Sequence, residues 1–245
     1  MRTSYQQFLI LFEQLIGDEW MFLYKKHHHK LNLKNQNIAT KKIQTIIEAT
    51  TYLAHKQGFQ SMSMRDLSEH CQMSIGGLYK YFQNKNQLAA MVHTGLIEMG
   101  SVCLKQFADH DKDPIPELYA MLTRHLYLSE RLKTWFHFVF MEGKHLDRAL
   151  MKLFIRSEIQ MEQAIEKKII AAQKLGHCEC KNPEFTASMI KAMLQDWYTK
   201  TWKYQKRNIT IDDYAENMWQ DICAMIKINN EQSDSKKLYQ YATRH

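Results

Sequence analysis

The chain has 245 residues and a formal net charge of +7. The basic excess lies in residues 1–90, which carry 11 Lys or Arg against 6 Asp or Glu. Residues 91–245 carry 22 Lys or Arg against 20 Asp or Glu. This distribution suggests a polyanionic partner for the first third of the chain. Only 8 Gly and 3 Pro are present, which excludes a sandwich or barrel of many short strands and predicts an all-α fold. The five scattered cysteines favour reduced thiols, and no apolar run reaches the roughly 20 residues of a membrane span.

Residues 1–38 are predicted to be an N-terminal extension. Apolar residues at helical spacing begin at Tyr5 and predict a helix that ends near Gly17. The polar stretch from Lys25 to Asn37 is predicted to be a linker. A docking helix, an interfacial membrane anchor and an upstream-start artefact are the three interpretations of the extension, because an apolar aromatic face followed by lysines is also typical of such anchors.

Residues 39–90 are predicted to contain several short helices. An apolar helical pattern ends at Gly58, a residue type suited to the left-handed conformation that follows a helix. Ser63 and Asp66 have the spacing of a capping box, and Ser74 is a further helix start. Two short helices joined by a tight turn, behind a longer supporting helix, are the ingredients of a helix-turn-helix.

The residues from Met73 to Lys85, which read MSIGGLYKYFQNK, carry a more specific signal. They resemble the DNA-binding domain of regulators of the tetracycline-repressor (TetR) family: Ser, then Gly two residues later, then Leu-Tyr-x-Tyr-Phe and a closing Asn-Lys. The resemblance runs from Ile43 to Leu88, with one departure at Gly77, where Thr, Ser or Ala is common. It implies an N-terminal three-helix DNA-binding domain followed by a C-terminal helical domain.

The resemblance also implies which side chains contact DNA. Arg65 and Lys80 are expected near base edges, whereas Lys85 is expected to face a phosphate beside a helix N-terminus. Tyr79 is expected to position the helix on the DNA backbone. The full predicted set is Ser63, Arg65, Ser74, Ile75, Gly76, Gly77, Tyr79, Lys80, Tyr81 and Lys85. The predicted core of the motif is Leu67, Leu78 and Phe82.

Residues 91–228 are predicted to form a helical ligand-binding and dimerisation domain, with a poorly ordered tail over 229–245. Helices are expected near 88–107, 116–128, 130–141, 147–175, 183–205 and 211–228. In the TetR family the last two long helices usually form the dimer interface, and packing inside one subunit is the alternative for part of each apolar stripe. The candidate interface residues are Met189, Met193, Trp197, Met218 and Ile222.

An apolar, aromatic-rich segment in the middle of this domain is the predicted effector site. The resemblance implies a ligand cavity there, and a filled core is the alternative for most individual residues. Methionine-containing walls adapt to varied apolar ligands, so a small apolar effector is predicted. The candidate pocket residues are Met121, His125, Trp135, Phe138 and Val139.

No catalytic or metal site and no cofactor is predicted. The run His27-His28-His29 lies in the predicted polar linker, and adjacent residues of a helix point in different directions, so it makes a poor preformed site. The run His177-Cys178-Glu179-Cys180 offers metal-ligand residue types just past a helix end, but no second pair with zinc spacing follows it. The sequence also lacks GxSxG, P-loop, HExxH and GxGxxG motifs in their required context.

The favoured prediction is a cytoplasmic, ligand-responsive repressor, not an enzyme, that binds a palindromic DNA operator as a homodimer. An activator of the same family is one alternative. A membrane-associated or ligand-binding helical module is the other.

Overall fold

The computed structural model describes residues 4–31, 35–104, 113–143 and 148–228. Over these ranges the chain forms twelve α-helices and no strand, which confirms the predicted all-α fold. The predicted tail lies outside the described residues. The helices are α1 (Tyr5–Leu15), α2 (Glu19–Leu31), α3 (Gln36–Gln57), α4 (Met64–His70), α5 (Ile75–Tyr79), α6 (Lys85–Leu104), α7 (Pro114–Arg131), α8 (Lys133–Glu142), α9 (Arg148–Lys174), α10 (Pro183–Thr199), α11 (Thr201–Lys206) and α12 (Ile211–Met225).

The chain forms two compact units that are not contiguous in sequence. The first, called the HTH unit, contains Glu13–Met99 and Thr134–Ile155. The second, called the body, contains the described residues of Met1–Phe12, Gly100–Lys133 and Arg156–His245. This division differs from the predicted ranges 1–38, 39–90 and 91–228, because α1, α6, α8 and α9 each contribute residues to both units.

Helices of the body begin at caps that are visible in the sequence. The Asp113 carboxylate and the Asn182 side chain each accept a backbone N–H in the first turn, both at 3.1 Å. Pro114 and Pro183 follow these caps, at positions where the missing N–H costs no hydrogen bond. Thr210 opens α12 with a capping box. These local signals account for the good agreement between predicted and observed helix starts.

The single helix predicted over 183–205 is wrong at Lys200, where the backbone leaves the helical region (φ −133°, ψ 32°) and separates α10 from α11. Asp196 binds the Lys200 and Lys203 ammonium groups and the Tyr204 hydroxyl. The Tyr204 ring stacks on Trp197 at 5.3 Å between centroids. We attribute the break to this cluster, which ties Lys203 and Tyr204 of α11 to α10.

The segment that the sequence predicts as a linker is helical up to Leu31, because it belongs to α2. The inner face of α2 is buried in the HTH unit: the Trp20 ring lies 5.0 Å from the Trp135 ring, and Leu23 is fully enclosed. A Cβ added at Gly95 of α6 would overlap the Leu23 side chain, so the absence of a side chain there allows the close approach. The second half of α2 is a run of Lys and His residues, so the sequence did not indicate that this helix has a buried apolar face.

Helix α1 packs in the body through Phe8 and Phe12, which are both buried. The Tyr5 N–H donates to the Asp212 carboxylate at 2.9 Å, and the Arg131 guanidinium lies 5.2 Å from the Phe12 ring centroid. An interfacial anchor needs its apolar face free to enter lipid. Since the extension buries that face within the protein, the contacts favour a docking role for it.

Helix α6 is, among the described helices, the one whose length and composition would suffice to cross a membrane. Half of its most apolar stretch is buried inside the protein. Leu88, Val92 and Met99 are fully enclosed. Packing within the protein therefore accounts for the apolar character of α6.

Replacing Leu23 with Ala is expected to lower the free energy of unfolding by about 2–4 kcal/mol, because it leaves a cavity at Gly95 in a closely packed interface. Urea unfolding of the full chain measures this. Leu15→Ala is the matched control, since Leu15 is exposed on α1 and its loss should change stability by no more than about 0.5 kcal/mol. Equal, small effects of the two changes would show that α2 is not a structural part of the HTH unit.

Candidate nucleic-acid interface

Helix α4 begins at a complete capping box, as predicted. The Ser63 hydroxyl accepts the Asp66 N–H at 3.1 Å, and the Asp66 carboxylate accepts the Ser63 N–H at 2.8 Å. The hydrogen bonds from the Ser63 backbone and hydroxyl lower the pKa of Asp66. The start of α4 is therefore marked by two residues three positions apart, and the Gln57 amide adds a hydrogen bond to the Asp66 carboxylate at 3.3 Å.

The turn between α4 and α5 is closed by two reciprocal hydrogen bonds. The Met73 N–H donates to the Ser68 carbonyl at 3.0 Å, and the Ser68 hydroxyl donates to the Met73 carbonyl at 2.6 Å. Gln72 has a positive φ of 51° within this turn. The Ser74 hydroxyl then caps α5 by accepting the Gly77 N–H at 3.1 Å. The sequence-predicted helix-turn-helix is thus formed, with α3 packing on α4 and α4 on α5.

One face of α5 is buried and the other is open. Leu67, Leu78 and Phe82 are enclosed, which confirms the predicted core of the motif. On the open face Ile75 is 42% exposed and Tyr79 is 48% exposed. The core therefore fixes which side of the short helix α5 is available to a partner.

Most predicted DNA-contact residues lie on the accessible surface of the motif. A Cβ placed on Gly76 would meet nothing within 4 Å, so the backbone there is open to close approach. Gly77 and Tyr81 are partly buried, and burial raises the pKa of the Tyr81 hydroxyl. The exposed members of the predicted set are Ser63, Arg65, Ser74, Ile75, Gly76, Tyr79 and Lys80.

The Lys85 ammonium, which the sequence analysis expects to face a phosphate, binds backbone carbonyls within the HTH unit. It donates to the backbone carbonyls of Phe59, Gln60 and Met62 at 2.9, 2.6 and 3.1 Å, and it lies 5.2 Å from the Phe59 ring centroid. An ammonium has three N–H donors, so these carbonyls occupy all of them. Burial lowers the pKa of Lys85. The predicted helix start at Asn84 is confirmed, since its side chain accepts a backbone N–H of α6.

Residues 46–92 match the family model described as bacterial regulatory proteins, tetR family. Residues 46–92 therefore form a TetR-type DNA-binding domain. The match covers the second half of α3, the whole of α4 and α5, and the first turns of α6. It agrees with the resemblance carried by the Ser-x-Gly and Leu-Tyr-x-Tyr-Phe residues, so the HTH unit contains a helix-turn-helix of DNA-binding transcriptional regulators.

Solved structures extend the similarity beyond the HTH region at the level of fold. A complex of AibR with isovaleryl coenzyme A and operator DNA has a TM-score of 0.65 at 20% identity, covering 77% of this chain and 100% of that chain. A regulator of the tetR family from Rhodococcus RHA1 has a TM-score of 0.69 at 13% identity, covering 78% and 99%. A SmeT–triclosan complex has a TM-score of 0.57 at 16% identity, covering 78% and 94%. Among curated proteins, none matches the chain.

Three of the five predicted interface residues lie inside the body. Trp197, Met218 and Ile222 are buried, and the Trp197 ring N–H donates to Glu130 at 2.7 Å. These three assignments are corrected, because side chains enclosed within one subunit present no surface to another. Met189 is 45% exposed and Met193 is partly exposed. The amphipathic stripes therefore divide into an inner part, which builds the core, and an outer part.

The five predicted effector-pocket residues do not lie in one unit. Trp135, Phe138 and Val139 are buried in the HTH unit, where the Phe138 ring meets the Phe59 ring edge-on at 5.4 Å. For these three the filled-core alternative holds. Met121 and His125 lie on α7 in the body.

The body contains a partly buried polar cluster that the sequence analysis missed. The Lys191 ammonium donates to the Glu158 carboxylate at 3.0 Å, and the Gln195 amide donates to the other carboxylate oxygen. Burial, reinforced by the Lys191 ammonium, lowers the pKa of His125 to about 3. Burial and the Glu158 carboxylate raise the pKa of Tyr198. Lys191 lies on the buried face of α10, one turn from Ala187 and Leu194. Because a lysine is usually exposed, its residue type gave no indication that it points inward.

The metal-ligand residue types found in the sequence are engaged in other contacts. His177 lies 3.3 Å from the Asp113 carboxylate, and the Cys178 and Cys180 thiols contact the Ile169 carbonyl and the Thr186 hydroxyl. The side chains of His28 and His29 lie outside the described residues. Over the part of the chain that the structure describes, no group of three His, Cys, Asp or Glu residues could hold a metal ion.

The stability of the protein is expected to fall as the pH drops below about 6.5. Burial lowers the pKa of His93 to about 4, and that of His125 is also lowered. As the pH falls, the histidine of the unfolded chain, with a pKa near 6.5, is protonated before the buried histidine of the folded chain. Between these two pKa values, each of the two histidines lowers the free energy of unfolding by up to about 1.4 kcal/mol per pH unit. Urea unfolding between pH 7.5 and 4.5 measures the slope. His93→Gln and His125→Gln should each flatten it, and an unchanged slope in both variants would contradict this expectation.

Proposed function

We propose that this chain is a transcriptional repressor that binds a near-palindromic DNA operator as a homodimer and releases it when a small molecule binds. The observation that carries this proposal is the open face of α5, presented by a capped, tightly closed helix-turn-helix within residues 46–92. A recognition helix needs such a face to enter the major groove. We further propose that the protein is cytoplasmic and has no enzymatic activity.

The exposed polar side chains of the motif suit the two kinds of DNA contact. Arg65 on α4 and Lys80 at the end of α5 are exposed and carry donors for guanine acceptors or phosphate oxygens. The Tyr79 hydroxyl is suited to a phosphate oxygen, which positions the helix without reading sequence. Lys85 is left out of the proposed interface, because its donors are occupied within the protein.

The proposed dimer forms through the outer faces of α10 and α12. Phe185 is 63% exposed and lies one turn from Met189 on α10, and Met225 is exposed on α12. Ile159, on the part of α9 that belongs to the body, is also exposed. Exposed apolar side chains of this size often mark an interface when they adjoin one another. A two-fold dimer presents α5 twice, which is why the operator is proposed to be palindromic.

The proposed effector site lies in the body, on the side of α7 that carries Met121 and His125. The AibR and SmeT structures contain isovaleryl coenzyme A and triclosan, respectively, which supports a small-molecule effector for this chain. The Lys191–Glu158 pair and His125 form a polar environment in the body. We therefore propose that the effector combines its apolar part with a polar group.

Selection from random duplex DNA with the full-length protein tests the DNA-binding part of the proposal. We expect a palindromic consensus, with affinity that falls linearly in log–log form as salt rises. A scrambled duplex of equal length is the control, and equal affinity for the two duplexes would overturn the proposal. Thermal-shift and native mass-spectrometry screens of small apolar and amphipathic compounds, followed by operator titration, test the effector part.

A further inference from the structure

The recognition helix α5 presents unusual chemistry for a DNA-reading surface. Its first exposed side chain, Ile75, is apolar and branched, and Gly76 and Gly77 have no side chain at all. The Ser74 hydroxyl, which precedes α5, accepts the Gly77 N–H as the cap of the helix and keeps its own O–H as a donor. The residues of the first turn of α5 itself, Ile75 to Leu78, carry no side-chain hydrogen-bond donor.

The fold leaves a large part of the Ile75 side chain uncovered. The apolar contacts that hold the motif are made by Leu78, Phe82 and Leu67, whereas Ile75 is 42% exposed. A β-branched residue has lower helix propensity than Ala, Leu or Lys, so exposure at this position brings no evident gain in stability. An apolar side chain that the fold leaves on a DNA-reading face is suited to contact an apolar group on the DNA.

The major groove offers one such group. Adenine, guanine and cytosine present only hydrogen-bonding edges there, and thymine presents a C5 methyl group. With no Cβ at Gly76, and nothing within 4 Å of where one would lie, the α5 backbone is free to approach the base edges closely. Close approach is what a short contact between methyl groups requires.

We propose that Ile75 is a specificity-determining residue that selects thymine in each operator half-site by contact with its C5 methyl group. This inference rests on the proposed DNA-binding function. It adds that the first turn of α5 reads sequence through an apolar contact and that hydrogen-bond readout falls to Lys80 and Arg65.

Deoxyuridine substitution tests the proposal without altering the protein, because deoxyuridine differs from thymidine only by the missing methyl. The selected operator is synthesised with each thymine replaced in turn, and the affinity of the full-length protein is measured. At one symmetric position we expect roughly fourfold weaker binding per substituted half-site, from the methyl's share of buried apolar surface. Substituting both half-sites should weaken binding by more than tenfold.

The Ile75→Ala variant completes a double-mutant cycle. It should bind the thymine and deoxyuridine operators with nearly equal affinity, whereas Ile10→Ala, a change at an exposed isoleucine of α1, should keep the full difference. Two results would overturn the proposal while DNA binding stands: no thymine sensitive to removal of its methyl, or full sensitivity retained in Ile75→Ala. A failure of the proposed function looks different, because the wild-type protein would then prefer no selected sequence over a scrambled duplex.

Discussion

Replacing Lys85 with Met should lower the free energy of unfolding by about 2–4 kcal/mol, although the change lies in a surface motif. The methionine keeps most of the aliphatic stem but removes the ammonium that binds the carbonyls of Phe59, Gln60 and Met62. These carbonyls follow the end of α3, where no helix supplies donors. Water can hydrate only part of the site, because Phe59 and Met62 are buried. Urea unfolding of the full-length protein, followed by circular dichroism, measures the loss.

Lys80→Met is the matched control for this variant. Lys80 is exposed at the end of α5, so its replacement should leave stability within about 0.5 kcal/mol and weaken operator binding. The opposite pattern would contradict the structural role of Lys85. If Lys85→Met were as stable as the wild type and flattened the salt dependence of DNA binding by about one unit of slope, Lys85 would be a phosphate contact.

The double change Phe185→Glu with Met189→Glu is expected to yield folded monomers whose operator affinity is about 100-fold weaker or worse. Both side chains are exposed on the outer face of α10, so the body can accommodate the carboxylates without burying them. Four added charges at a two-fold interface would repel each other and prevent association. A monomer offers one recognition helix and loses the avidity of two linked half-sites. Light scattering, circular dichroism and operator titration measure the three consequences.

Met218→Glu places a charge on the buried face of α12 and is the contrast to the double change on the exposed face of α10. Met218 is buried in the body, so a carboxylate there should unfold the protein or make it insoluble. Ile10→Glu, at an exposed site on α1, should leave both fold and assembly unchanged. An unchanged dimer in the Phe185 and Met189 double variant would show that the interface lies elsewhere.

The helix-turn-helix could be read from the sequence because its defining interactions are local. The capping box of Ser63 with Asp66 and the cap of Ser74 each join residues three positions apart. Gly58 ends α3 with a positive φ of 84°, as its residue type indicates. Hydrogen bonds and backbone preferences at this range depend on neighbouring residue types, and these are visible in the sequence.

Only the tertiary structure shows where the Lys85 ammonium binds and where the N-terminal extension packs. The carbonyls that bind Lys85 lie 23–26 residues away, and nothing near Lys85 in the sequence distinguishes a surface cation from a buried one. Likewise, α2 is stabilised by the approach of Leu23 to Gly95, a contact between segments that no local pattern relates.

The apolar stripes of α10 and α12 also show what the sequence does not reveal. Helical periodicity identified both stripes, but Trp197 and Met218 face inward whereas Phe185 and Met189 face solvent. Periodicity reports that one side of a helix is apolar and not which turns of it another helix covers. That choice depends on the positions of partner helices. The sequence by itself therefore determined most of the helices, the caps of α4 and α5 and the helix-turn-helix. The tertiary structure decided the break at Lys200, the burial of α2 and which side chains are available to a partner.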